Sequence, residues 1–397
     1  MAKKKIENEM PQTLEAQKPE VDNSKKTAEV VAERIKKELA KFEDKSFNVW
    51  FYIIDTKGVP SGSLLYIYKL AYELRELGYN ASLLYSERDF VGVSGWAEKK
   101  YADLPHHKVE STNTRTLLDG KQFVVAPSDF LIIPEIYTDI ISQTRNLPCK
   151  RIILFQNEEY FTRFIPLGVN PYEYKVTDVI VNTENVEAWV KENLPLLKTH
   201  AITPGVSSTL FRKPEKPRKL IVNIVAKDGN DASRILKPFM WKYPKFRWVT
   251  FTSLGNLPQE MFADALREGI VTIWIDEDCS FGYTPLEALK TGSIVIGKIP
   301  HKLADWMKNG DEGLTDSVIW FDDYSTVPDL LAQIVSMYLK DEIPNEVYSA
   351  IEEVKDAHTK NHMVEDIKKV FVDGFFAERK QSFQEALDNM NKEEEGK

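Results

Sequence analysis

The chain has 397 residues, 43% of them hydrophobic and 28% charged, with a net charge of −9. That length holds two domains of ordinary size, and the hydrophobic share predicts sizeable cores. The acidity argues against a broad nucleic-acid footprint, although it leaves room for a local basic cleft.

No apolar run reaches the roughly 18 residues that span a bilayer. The start MAKKKIENEM is basic but lacks the apolar segment of a signal peptide, so the expectation is a cytoplasmic protein. Two cysteines, Cys149 and Cys279, make no disulfide framework, and six histidines offer no metal-type spacing. No metal and no cofactor are expected.

Residues 1–45 are polar and near neutral. The first 25 or so read as disordered. Val30, Val31, Ile35, Leu39 and Phe42 then predict an amphipathic helix over 27–42, which packs on the body or meets a partner. The body alternates β-rich runs with helical patterns. FNVWFYII (47–54), ASLLY (81–85), QFVVA (122–126), DFLIIPE (129–135), RIILFQN (151–157) and DVIVNT (178–183) read as strands. Between them lie helical stretches such as SLLYIYKLAYELRELGY, YTDIISQTR and ENVEAWVKENL.

A proline-bearing stretch, PGVSSTLFRKPEKPRK, reads as a linker. The second series follows, with strands in KLIVNIVA, RWVTFTSL, VTIWID, SIVIGK and SVIWFDD. Its helices fall in ASRILKPFMWKY, PQEMFADALREG, TPLEALK, HKLADWMK and PDLLAQIVSMYLK. Beyond Asn345 the chain is helical and charged, with Phe371, Phe375, Phe376 and Phe383 as packing anchors. Strands alternating with helices imply parallel sheets covered on both faces. The expected class is α/β, with two Rossmann-like doubly wound domains facing a cleft and helical extensions at both ends. The expected bounds are 1–45, 46–210, 218–343 and 344–397, the last returning to the first domain. Ligands bind at the C-terminal strand edges of such sheets.

One stretch on that edge is CSFGYTPLEALKTGSIVIG (279–297). Thr284, Pro285 and Glu287 match a capping box with proline at the first helical position, worth about 1 kcal/mol without any ligand. The context adds a second reading. Gly282 before a helix lets backbone N–H groups approach a phosphate at the positive helix end, and an acidic residue there suits ribose hydroxyls. Both roles are expected of Glu287.

The stretch resembles the carboxy-terminal signature of the retaining glycosyltransferases of family 4, two-domain enzymes with the GT-B fold. Their pattern runs Glu, Gly-Phe-Gly, four further residues, Glu-Ala, a short helix, Gly and a strand. FYIIDTKGVPSGSLLYIYKLAYELRELGYNASLLY, TDVIVNTENVEAWVKEN and ITPGVSSTLFRKPE resemble other family segments in the same order, covering about residues 46–340. The resemblance implies sugar transfer, with retention and without a metal, from a UDP-, GDP- or dTDP-sugar used as co-substrate. It assigns Lys227 and Arg234 to the departing diphosphate, two cations where negative charge develops. Cys279, Ser280, Phe281, Gly282, Tyr283, Thr284 and Glu287 fall on the donor side, with Glu287 on the ribose. Gly58, Ser61, Gly62, Gln156 and Asn157 fall on the acceptor side.

Two positions depart from the pattern. Cys279 stands where the family has its first Glu, with Glu277 or Asp278 as substitutes. Gln156 and Asn157 stand where relatives carry a His. Both departures lie on the sugar side. They keep two alternatives in view: a non-catalytic binding or assembly protein, and a glycosyltransferase acting on modified DNA bases. The acceptor, carbohydrate, protein or nucleic acid, is open, and the terminal helices could serve oligomerisation. The aromatic-rich EEYFTRFIPLGVNPYEY is either a carbohydrate-lining segment or a packed loop. The G-x-G-x-x-G and G-x-x-x-x-G-K-[S/T] runs of other nucleotide-binding α/β classes are absent.

Overall fold

A computed structural model describes residues 21–112, 115–310, 313–355 and 358–395; most of the expected disordered start lies outside them. The chain opens with helix α1 (Val21–Glu43), β1 (Asn48–Tyr52), α2 (Gly62–Glu76) and β2 (Asn80–Tyr85). There follow α3 (Lys99–Ala102), β3 (His106–Thr112), β4 (Arg115–Leu118), β5 (Lys121–Gln122) and β6 (Phe130–Pro134). Next come α4 (Thr138–Gln143), β7 (Lys150–Phe155), α5 (Glu158–Phe164), β8 (Asp178–Val181), α6 (Glu184–Asn193) and β9 (Lys198–Ala201).

These strands form a nine-stranded sheet in the order β5-β4-β3-β2-β1-β6-β7-β8-β9. Its central strands are buried along almost their whole length because helices cover both faces. The β3–β4–β5 end is antiparallel. Of the expected strand QFVVA only Gln122 is in β5, with Val124 exposed beyond it. β3 and β4 pair by backbone along a polar edge, where no apolar run announces them.

The second half contains β10 (Lys219–Ala226), α7 (Gly229–Lys242), β11 (Thr250–Ser253), α8 (Gln259–Glu268), β12 (Gly269–Ile275) and α9 (Tyr283–Thr291). β13 (Ile294–Lys298), β14 (Lys308–Asn309), β15 (Gly313–Leu314), β16 (Val318–Phe321) and α10 (Val327–Lys340) complete it. The sheet order is β11-β10-β12-β13-β16, all parallel. HKLADWMK, expected as a helix, is instead a single 3₁₀ turn leading into the β14–β15 hairpin. The aromatic Trp306 and apolar Met307 are buried there rather than spread along a helical face.

The chain ends in α11 (Asn345–Lys355), α12 (Lys360–Ile367), a π-helical stretch (Lys368–Phe376) and α13 (Ala377–Glu395). Met363, Ile367, Phe371, Phe375 and Phe376 join the same core as Phe47, Phe51 and Phe130 of the first sheet. A fully buried Phe contributes about 2 kcal/mol, so this return ties the tail firmly to the first half. α1 lies against α13 through Phe42, whose ring is 5.9 Å from Phe383 and 4.7 Å from Phe47.

Strand order reverses beside β1 in the first sheet and beside β10 in the second. Those switch points open crevices at the C-terminal strand edges. The loops leaving β1, β10 and β12 carry Gly58 and Ser61, Lys227, and the 276–282 stretch.

Candidate functional site

The second half supplies a charged rim. Lys227, one residue past β10, pairs with Asp276 at 2.8 Å while its side chain stays 67% exposed. Burial works against its charge, but the Asp276 bond outweighs it and raises the ammonium pKa. Lys298 ends β13 and is 7% exposed, paired with Glu277 at 3.0 Å and Asp322 at 2.7 Å. Sequence reasoning passed over it; the signal was a lysine closing the apolar strand SIVIGK on the same edge. Asp278 meets His301 Nδ1 at 3.1 Å.

The capping box is not formed. Gly282 is the N-cap of α9, at φ 72° and with no capping side chain, so Thr284 and Pro285 lie inside the first turn. Glu287 therefore sits a turn further on, too deep to cap, and the expected capping half of its role falls away. Glycine is required at 282 twice over: its φ is left-handed, and a Cβ would collide with Met307 Cε. The first-turn amides of α9 consequently carry no protein side-chain cap.

Across the seam, Ser61 caps α2 by accepting from the Leu64 amide. Gly62 does not face α9 across open space. It touches it: a Cβ at Gly62 would lie 2.9 Å from the Tyr283 ring. Beneath that contact Glu287 is 8% exposed and acts electrostatically on Lys69 of α2, which is also buried and donates to the Gly205 carbonyl at 2.8 Å. Burial pushes the Glu287 carboxyl up and the Lys69 ammonium down, and each partner opposes the other's shift. Helical spacing in LYIYKLAYEL places Lys69 on the buried stripe with Glu73.

The two departing positions meet in space. Ser280 Oγ donates to the Gln156 carbonyl at 2.6 Å, and Asn157 Nδ2 to the Asp278 carbonyl at 3.5 Å. Asn182 Nδ2 also donates to Ser280 Oγ, at 3.3 Å. Gln156 Nε2 donates to the Ser63 carbonyl at 3.2 Å, and the Asn157 amide to Glu135 at 2.8 Å. Burial pushes Glu135 up to about 7. Beside these bonds a narrow recess separates the halves, lined by Asn157, Glu159 and Thr183 on one side and Asp278, Cys279 and His301 on the other. Burial also raises the Cys279 thiol, leaving it un-ionised at neutral pH. Phe281 is packed inward, its carbonyl accepting from Trp306.

Not every candidate converges. Arg234, on the second turn of α7, stacks on Tyr324 with its guanidinium 3.7 Å from the ring centroid and pairs with Asp231 at 3.4 Å. No hydrogen bond or ion pair joins it to Lys227 or Asp276 among the described residues. Gly58, at φ 80°, neighbours Val91 in the adjoining loop rather than α9. Among the described residues no His, Cys, Asp and Glu side chains group as a metal site, and no helix is long and apolar enough to cross a membrane.

The fold is shared with solved structures of glycosyltransferases. Anabaena HepE in complex with UDP-glucose superimposes with a TM-score of 0.58 over 82% of this chain and 99% of HepE, at 10% identity. Sucrose-phosphate synthase from Thermosynechococcus elongatus gives 0.54 over 82% and 98%, at 11% identity. The pneumococcal O-GlcNAc transferase GtfA, in complex with UDP and GlcNAc, gives 0.52 over 81% and 98%, at 11% identity. The chain thus has the GT-B fold, two Rossmann-like domains facing a cleft. In sequence it is similar to an alpha-1,6-glucosyltransferase of Actinobacillus pleuropneumoniae serotype 7 (strain AP76), at 20% identity over 318 residues, 75% of this chain and 87% of that one. No family model matches the chain.

Proposed function

We propose that the protein transfers a sugar from a nucleoside-diphosphate sugar to an acceptor held by the first half. Lys227 and the uncapped amides of α9 take the diphosphate, where leaving-group charge develops. Glu287 holds the ribose, and since it is buried, the halves part to admit the donor. Arg234 serves the diphosphate only after leaving Tyr324, which makes it the weaker of the two cations. Retention and independence of a metal follow from the resemblance to family 4. The complexes of HepE and GtfA with UDP, and the glucosyltransferase relative, favour a UDP-sugar and make UDP-glucose the first donor to try. The observation that carries this reading is the left-handed Gly282, which leaves the helix end without a side-chain cap on the same strand edge as Lys227.

A thermal-shift panel of UDP, GDP, dTDP and ADP, with and without attached sugars, tests it. A ligand at 100 times its Kd stabilises the native state by about 2.7 kcal/mol. The proposal expects a shift with one nucleotide, larger with one sugar attached, and release of that nucleotide from the sugar donor. No shift in a well-folded preparation would overturn it.

The bonds joining Gln156 and Asn157 to Asp278 and Ser280 favour a second reading, in which the chain binds nucleotide without transferring sugar. A nucleotide shift with no release from any sugar donor would select that reading.

A further inference from the structure

The segment EEYFTRFIPLGVNPYEY divides in the structure. Phe161 and Tyr174 are buried, which accounts for them as packing. Tyr160, Phe164 and Leu167 are not: they are 37%, 45% and 105% exposed, the first two one turn apart on α5 and Leu167 in the turn that follows it. Tyr160 is the inner end of this stripe, close enough to Lys227 to act on its charge.

An open groove lies beside Phe164, between α4 and the chain around the end of α5. Its lining mixes chemistries: Phe164, Pro166 and Val169 are apolar, and Asp139, Gln143, Arg145 and Glu173 polar. Thr138 Oγ1 donates to the Phe164 carbonyl at 2.8 Å and joins α4 to the end of α5. None of the four polar side chains makes a hydrogen bond or ion pair with another described residue, whereas most charged groups of the cleft are paired. An exposed aromatic ring in one groove with unpaired carboxylate, amide and guanidinium groups matches a sugar ring, which has an apolar face and a rim of hydroxyls. Two carboxylates against one guanidinium disfavour an anionic polymer such as nucleic acid.

We propose that this groove binds an uncharged oligosaccharide, lying along the Tyr160–Phe164 stripe and leading into the cleft. Calling that glycan the acceptor rests on the proposed transfer; its binding does not.

The test is titration calorimetry without donor, using maltohexaose, isomaltohexaose and cellohexaose as probes, with a single-stranded oligonucleotide as the anionic comparison. One of the glycans is expected to bind, and Phe164→Ala and Gln143→Ala each to weaken it at least tenfold. Both side chains are exposed, so the melting temperature and the nucleotide thermal shift should stay as in wild type. Binding that both variants leave unchanged, binding of the oligonucleotide alone, or no binding at millimolar probe would overturn the proposal. A lost nucleotide shift in the wild type would instead sink the donor site and leave the groove standing.

Discussion

Helices α2 and α9 each follow a strand of their own sheet, and their first turns meet at Gly62 and Tyr283. Their N-termini are finished differently. Ser61 closes α2 with a side-chain oxygen on the Leu64 amide, whereas α9 starts at a left-handed glycine with no such oxygen. A helix end satisfied by its own side chain has little left for an anion, and an unsatisfied one keeps its donors and its share of the macrodipole. The difference supports the proposal that the diphosphate binds the second half and the acceptor the first.

The sharpest way to break this contrast is Gly282→Ala. The left-handed backbone and the collision with Met307 together should lower stability by about 3 kcal/mol and abolish nucleotide binding. Gly58→Ala, also left-handed but with its nearest neighbour 3.8 Å away, should lower stability by only about 1 kcal/mol in denaturant unfolding.

A second effect of similar size comes from pH. His358 lies against Phe281, ring centroids 5.3 Å apart, and burial lowers its pKa to about 4. Between pH 6.5 and 4 the unfolded chain takes up a proton that the native state refuses. Stability should therefore fall by up to about 3 kcal/mol across that window. His358→Asn should flatten that part of the pH profile of the melting temperature.

Smaller effects separate the two helix ends. Lys227→Ala should weaken nucleotide binding about tenfold, with almost no change in melting temperature, because its exposed ion pair contributes little to folding. Ser61→Ala should do the reverse, lowering stability by about 1 kcal/mol and leaving nucleotide affinity intact. Equal loss of affinity in both variants would erase the contrast between the helices.

Much of this architecture was legible because short β-branched runs between helical patterns leave a parallel sheet few alternatives. VTIWID and DFLIIPE announced buried strands, and Phe371, Phe375 and Phe376 announced a packed tail. The polar β3–β4 pair escaped notice, since its strands are held by backbone pairing at an edge and carry no apolar run. At the site, Thr284-Pro285 imitated a cap because local spacing is blind to a left-handed residue two positions earlier. Lys69 and Glu287 show the other limit: helical spacing puts each on a buried stripe, but only the tertiary fold brings the two stripes together.

The most direct measurement is backbone amide exchange with and without saturating UDP. The account predicts slower exchange in peptides spanning 227–229 and 282–287, where α9 offers its free donors. Bound UDP that leaves 282–287 unchanged, with protection confined to 57–65, would contradict it.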